Sequence, residues 1–195
     1  MSPQTFVFFG IVGSGKGTQV KLLTKFLKNR DKRESVYTST GDEYRKLIAG
    51  GSYTSGLVKD SITRGELQPN FLTNSIFTNI LISSLTSEKH LFADGYPRTI
   101  NQSQSFEEMM KFYKREDVKI IYIELSKEEA VKRLKLRGRH DDTEDGIAKR
   151  FDEYVNNVIP SMDYFKDKEN YTLYTINGEQ SVENVHKDII KALGY

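Results

Sequence analysis

Gly10-Ile11-Val12-Gly13-Ser14-Gly15-Lys16-Gly17-Thr18 is the stretch on which the fold reading turns. It follows Thr5 to Phe9, a β-branched and aromatic run that reads as a buried strand. From Lys16 onward, Val20, Leu23 and Leu27, joined by Leu22 and Phe26, recur at helical spacing with lysines opposite. The nine residues therefore connect a strand to a helix. Their glycines are expected to take positive φ and curl the backbone amides into a concave anion site at the helix N-terminus, where the macrodipole adds roughly half a positive charge. Lys16 supplies a mobile ammonium for outer phosphates, and Thr18 reaches a phosphate or a bound magnesium ion. With glycine at about 7% of positions, four at fixed places arise by chance only about twice in 100,000, so an ordinary turn explains the stretch poorly.

Working outward, three more apolar strand-like runs appear, at His90 to Ala93, Lys119 to Leu125 and Tyr171 to Ile176, each followed by a helical pattern. Strand then helix, repeated, predicts an α/β fold with a parallel sheet. Ser126 and Glu129 read as a capping box, and Ser181 as the N-cap of a last helix whose apolar face is Val182, Val185, Ile189, Ile190 and Leu193. Asp42 to Ser87 holds only helix-like patterns, broken by Gly50-Gly51, Gly65 and Pro69, and reads as a helical insertion. No repeat, low-complexity tract or long linker divides the 195 residues, which are expected to form a single domain.

Composition narrows the function classes. There are 29 basic and 27 acidic side chains, a net charge of +2 that gives no field suited to non-specific nucleic-acid binding. Any bound anion must be gripped locally. Zero cysteines exclude disulfides, thiolate zinc sites and cysteine nucleophiles, and three scattered histidines make a His-built metal site improbable. No uncharged apolar run approaches the roughly 18 residues of a membrane span, and the start lacks the basic region and apolar core of a signal peptide. A cytoplasmic location is expected.

Two further motifs point to phosphate chemistry. In Thr40-Gly41-Asp42, Asp42 is expected to cap the next helix and Arg45 to project from its first turn toward a monophosphate. In Asp94-Gly95-Tyr96-Pro97-Arg98, Asp94 ends a strand, where α/β sheets put ligands, and could hold magnesium through its water shell. Arg98 can fork onto a phosphate. Gln102, one helical turn later, offers a donor and an acceptor to a base edge.

In the general phosphate loop Ser or Thr directly follows the lysine, whereas here Gly17 intervenes before Thr18. That arrangement resembles the nucleoside monophosphate kinases, and Gly-Lys-Gly-Thr-Gln at 15 to 19 is close to the adenylate kinase form. The resemblance runs to the end of the chain. It implies a three-layer P-loop fold around a five-stranded parallel sheet, an acceptor-binding insertion at 41–70 and a short lid at 137–143. It implies transfer of a phosphoryl group from magnesium ATP to AMP, giving two ADP, with Mg2+ as cofactor, ATP, AMP and ADP as partners, and a monomer. A UMP/CMP kinase and a nucleotide-dependent regulatory module remain as alternatives. The family usually has Pro-Pro where this chain has Ile11-Val12, so altered loop stiffness is expected.

Residue by residue, the resemblance assigns the donor to Gly13, Ser14, Gly15, Lys16, Gly17, Thr18, Arg133, Arg137 and Gly178, with Arg133 stacking on the adenine. It assigns the acceptor to Thr40, Arg45, Glu66, Leu67, Gln68, Gly95, Arg98, Gln102, Arg139 and Arg150. Thr40 paired with Gln102 matches the adenylate type, since pyrimidine kinases tend to show alanine and asparagine. Gln68 departs from the family's valine and is neutral if the backbone contacts the base. Lys16, Arg98, Arg133, Arg139 and Arg150 would act catalytically, Asp94 through water and Thr18 would serve the metal, and Asp141 and Asp142 would orient the lid arginines. Six of the ten arginines thus fall inside family motifs.

Overall fold

A computed structural model describes residues 2–138 and 142–195; Arg139, His140 and Asp141 lie outside the described residues. Five parallel strands form one sheet in the order β2-β3-β1-β4-β5. They are β1 (Thr5–Phe9), β2 (Ser35–Ser39), β3 (His90–Asp94), β4 (Val118–Glu124) and β5 (Tyr171–Asn177). Four strands match the sequence runs within a residue or two. The fifth, β2, answers to no run in the sequence pattern: it is an edge strand, Ser-Val-Tyr-Thr-Ser, and buries only Val36 and Thr38. A strand half in solvent has no reason to be apolar throughout.

β1 shows why the sheet sits at the centre. All five residues are buried, and the period of two sends Phe6 and Phe8 to one face and Val7 and Phe9 to the other. Phe6 and Phe8 pack with Val20, Leu23 and Leu27 of α1 (Lys16–Asp31) and with Val185 and Ile189 of α9 (Val182–Ala192). Val7 and Phe9 pack with Phe77 and Leu81 of α4 (Asn70–Ser84), Phe106 and Met110 of α5 (Ile100–Phe112), and Met162 of α8 (Ile159–Asp163). The helical insertion is therefore α2 (Thr40–Ala49) and α3 (Tyr53–Thr63), while α4 belongs to a core layer.

A third cluster lies under the remaining helices. Ile11 and Leu125 meet Ala130 and Leu134 of α6 (Lys127–Arg137) and Ile147 and Phe151 of α7 (Glu144–Glu153). Ile11 is thus an apolar anchor between the phosphate loop and the two helices flanking 138–143. After α7 the chain passes through a π-helical turn, Tyr154–Val158, before Pro160. Proline brings no N–H to the ladder, and the widened turn sets Glu153, Tyr154 and Val158 on the cleft wall.

Two capping expectations change. Ser126 does accept from the Glu129 N–H, but the Glu129 carboxylate turns to Arg133 at 2.9 Å, and Glu179 instead accepts from the Ser126 N–H at 2.9 Å. The box is completed from β5's loop. For α2 the N-cap is Ser39, which accepts from the Asp42 N–H at 3.3 Å, so Asp42 is the capped residue and not the cap. Ser181 caps α9 as expected. Among the described residues no helix is long and apolar enough to cross a membrane.

Candidate active site

The chain leaves β1 toward β2 and leaves β3 toward β4, on opposite sides, and ligand crevices form beyond the carboxyl ends of strands at such a reversal. A cleft of about 560 Å³ opens there. Its floor is the phosphate loop. Gly10, Gly13 and Gly15 take φ of 147°, 88° and 90°, as a loop turning amides inward requires, and the Ser14 N–H closes a turn onto the Ile11 carbonyl at 3.1 Å. Gly17 differs from expectation, because it lies inside α1 without positive φ. A Cβ there would stand 3.4 Å from Asp94 Oδ2, at ordinary van der Waals distance, so the Asp94 carboxylate lies against the first turn of α1.

Lys16 Nζ donates to the Gly10 carbonyl at 2.7 Å, the Ile11 carbonyl at 3.0 Å and Ser14 Oγ at 3.3 Å. Burial pulls its pKa down to about 8, with Asp94 opposing the shift and Arg98 and Arg137 adding to it. One loop residue stands apart: Ser14 is buried beneath the loop and outside the cleft lining, whereas Gly13, Gly15, Gly17 and Thr18 line it. Asp94, at the end of β3, accepts from the Tyr37 phenol at 3.1 Å. Burial first, then Asp94, pushes that phenol well above the usual range.

On the acceptor side, Gly95 (φ 78°) gives up its side chain to make room. A Cβ there would sit 2.6 Å from Thr40 Oγ1 and 2.8 Å from Arg98 Nη2. The Thr40 hydroxyl donates to the Gly95 carbonyl at 2.8 Å. Burial draws Arg98 below the ordinary guanidinium value, against the pull of Asp94. Arg45 pairs with Asp42 one turn back. Gln102 is buried and held at both ends of its amide: Oε1 accepts from the Arg98 N–H at 2.9 Å and Nε2 donates to Asn70 at 3.0 Å. Gln68 turns its amide onto Ser61 Oγ at 2.8 Å, Glu66, Leu67 and Gln68 all line the wall, and Glu66 is forked by Arg64 at 2.8 and 2.9 Å.

The third wall comes from α6 and α7. Arg133, Arg137 and Arg150 line the cleft. Arg133 donates to Glu129 and to the Gly178 carbonyl, each at 2.9 Å, so Gly178 touches the site through Arg133 and does not line it. Asp142, with its side chain 1% exposed, joins Arg137 and Arg150. Arg139 and Asp141 are outside the described residues. His90 and His186 lie outside the cleft lining.

Tyr37, Tyr44 and Glu153 also line the cleft, without any sequence signal to announce them. Tyr37 stands on the unread edge strand, and Tyr44 reaches inward to Thr73 Oγ1 at 2.6 Å. The cleft as a whole gathers Lys16, Arg45, Arg98, Arg133, Arg137 and Arg150 from four separated stretches, against the acidic lining residues Asp42, Glu66, Asp94 and Glu153. Such a surplus of cations suits an extended polyanion.

Known proteins match this arrangement along most of the chain. The family model for adenylate kinase matches residues 8–170. Among curated relatives, adenylate kinases from Fervidobacterium nodosum and Thermosipho melanesiensis are each 31% identical, over 96% of this chain and 96% and 98% of the relative. One from Rickettsia africae is 30% identical over 96% of this chain and 97% of its own length. With the phosphate loop, the acceptor arginines and the third basic wall all in one cleft, the chain belongs to the adenylate kinase family and is a nucleoside monophosphate kinase.

Proposed function

We propose that the cleft reversibly transfers the terminal phosphoryl group of ATP to AMP, giving two ADP, with the two nucleotides meeting tail to tail. The observation that carries this is the convergence of Lys16, Arg98 and the Arg137–Arg150 pair on one cleft, close enough for Arg98 and Arg137 both to act on Lys16 and for Arg150 to act on Arg98. Phosphoryl transfer needs that convergence. Charge spreads over the equatorial oxygens of the transferring group, so positioning and electrostatic stabilisation do most of the catalysis, and no covalent enzyme intermediate is required.

In this reading the loop amides from Gly13 to Thr18 and the Lys16 ammonium hold the donor phosphates, and Arg133 covers the donor base. Arg45 and Arg98 hold the acceptor phosphate. Thr40, Gln102, Gly95 and the backbone of 66–68 form the acceptor base pocket, which makes the identity of Gln68 secondary because its amide is committed to Ser61. Arg137 and Arg150, with Arg139, stabilise the charge that develops between the nucleotides. The acceptor insertion is 41–70 and the lid 137–143, and the protein acts as a cytoplasmic monomer.

The residues suit magnesium as the cofactor. Among the described residues no cluster of three carboxylate or imidazole groups could cage a metal; in the cleft the Asp94 carboxylate reaches the first turn of α1 at Gly17, and Thr18 is exposed in the same lining. A hard cation bound mainly by phosphates and water needs no more than that. When bound, Mg2+ neutralises phosphate charge; Asp94 would hold it through water and Thr18 is the second candidate.

A panel of monophosphates assayed with ATP and magnesium tests the reading. Fast, stoichiometric ADP formation with AMP is expected. Preference for UMP or CMP, or slow ATP hydrolysis indifferent to any monophosphate, would overturn it.

A further inference from the structure

We propose that Tyr37 is a positioning residue for Asp94: its phenol fixes Oδ2 of the carboxylate over the loop-to-helix junction and so sets how strongly the site uses magnesium. The inference rests on the reading of Asp94 as the carboxylate that meets the metal's water shell.

The edge-strand register brings the pair together. Tyr37 pairs with Phe92 and Ser39 with Asp94 in parallel register. With side chains alternating at a period of two, Tyr37, Phe92 and Asp94 share the α1 face of the sheet. The Tyr37 ring packs against the cluster that includes Phe8, Val20 and Phe92, which holds it in one orientation. Its hydroxyl then extends to Asp94 Oδ2 at 3.1 Å. A Cβ on Gly17 would lie 3.4 Å from that oxygen and 3.8 Å from the phenol oxygen, so phenol, carboxylate and the first turn of α1 form one contact.

Lys16 and Arg98 attract this carboxylate electrostatically, but among the described residues neither forms an ion pair or hydrogen bond with it. The Lys16 ammonium is bonded instead to the Gly10 and Ile11 carbonyls. Among the described residues the Tyr37 phenol is the one hydrogen-bond donor to the Asp94 side chain. A water-mediated contact to magnesium is demanding of direction, because the ion keeps near-octahedral geometry. Outer groups that orient a metal site's carboxylates typically change affinity by roughly tenfold or more when removed. The ring alone would satisfy packing; the hydroxyl is what the orientation needs.

The test is Tyr37→Phe, which keeps the ring. ATP binding is titrated calorimetrically with Mg2+ and with EDTA, alongside a thermal melt. The expected result is a Mg2+-dependent gain in ATP affinity reduced roughly tenfold, with affinity in EDTA within about twofold of wild type and an unchanged melt. In turnover, the Mg2+ concentration for half-maximal rate rises while KM for AMP stays constant. In an Asp94→Asn background, where the carboxylate is gone, Tyr37→Phe is expected to add no further loss. An undiminished Mg2+ gain in Tyr37→Phe would overturn the proposal, as would equal losses with and without Mg2+ accompanied by a lowered melt, or an additive loss in the Asp94→Asn background. Wild-type protein that gains no ATP affinity from Mg2+ would overturn the metal reading and this inference together.

Discussion

Asp142 takes Arg137 in a two-pronged bond, 3.0 Å from Nε to Oδ2 and 2.6 Å from Nη2 to Oδ1, and the same Oδ1 also accepts from Arg150 at 3.0 Å. One almost fully covered carboxylate thus sets the spacing of two guanidiniums on different helices. Asn in its place would keep the shape and lose the charge. Because misplacement of about 1 Å costs on the order of a hundredfold in rate, Asp142→Asn is expected to lower kcat by roughly ten- to a hundredfold. Steady-state kinetics with saturating ATP and AMP check this. Turnover within twofold of wild type would show that the arginines are oriented by other groups.

Lys16→Met is expected to reduce turnover by roughly a thousandfold, the scale of losing a central electrostatic donor, while leaving the circular dichroism spectrum intact. Its lowered pKa adds a pH signature. The ammonium is the form that holds phosphate, so kcat/KM for ATP, which reports the free enzyme, should bend downward as pH rises through about 8. Lys16→Arg should remove the bend. A flat profile from pH 7 to 9 in wild type would dissociate the lysine from binding.

Arg98 lies against Gly95 at the acceptor end, where a Cβ on that glycine would stand 2.8 Å from Nη2. Charge-assisted hydrogen bonds contribute about 1.5–3 kcal/mol, so Arg98→Ala is expected to raise KM for AMP roughly ten- to a hundredfold. Equilibrium titration with ATP alone should be unchanged. A matching loss of ATP affinity would mean that the two halves of the cleft are not separable.

Ile11 is 6% exposed and packs with Leu134, Ile147 and Phe151. Truncating it should cost about 2–4 kcal/mol in denaturant unfolding, from lost burial plus the cavity left behind. The same change should weaken ATP binding, because the loop loses its apolar tether to α6 and α7. A stability loss with unaltered ATP binding would make Ile11 a core residue only.

His90 is fully buried, its Nδ1 accepting from the Gln4 N–H at 2.9 Å, so Nε2 carries the proton and meets Asp31 at 3.1 Å. Burial lowers its pKa below the ordinary 6.5 despite Asp31. The unfolded chain therefore takes up this proton first on acidification. The stabilisation is complete above about pH 6.5 and is lost as pH falls from there toward the folded pKa. Urea unfolding between pH 5 and 8 should show that decline, and His90→Gln should flatten it. An equal slope in the variant would assign the decline to other groups.

Much of the fold was legible because its signals are local. A fully buried β1 must be continuously apolar, the loop glycines must sit between strand and helix, and α1 and α9 must show a one-sided apolar face, all within a few residues of one another. The acceptor and lid arginines were legible as motifs for the same reason. β2 was not, because an edge strand carries half its polar residues outward, and with it went Tyr37. The caps at Asp42 and Glu129 misled because each has a second partner, Ser39 in one case and Arg133 with Glu179 in the other, and proximity in sequence does not rank competing bonds.

What the amino-acid order determined by itself is the chemistry available: an anion loop, one carboxylate at a strand end, and arginines in excess of any local need. Tertiary structure alone decided which atoms meet. Strand register sets Tyr37 beneath Asp94, helix packing lets one Asp142 oxygen serve two arginines, and Gly95 yields its side-chain volume to Thr40 and Arg98. The reason is that these contacts join residues far apart along the chain, and their distances are set by how the sheet and its layers pack.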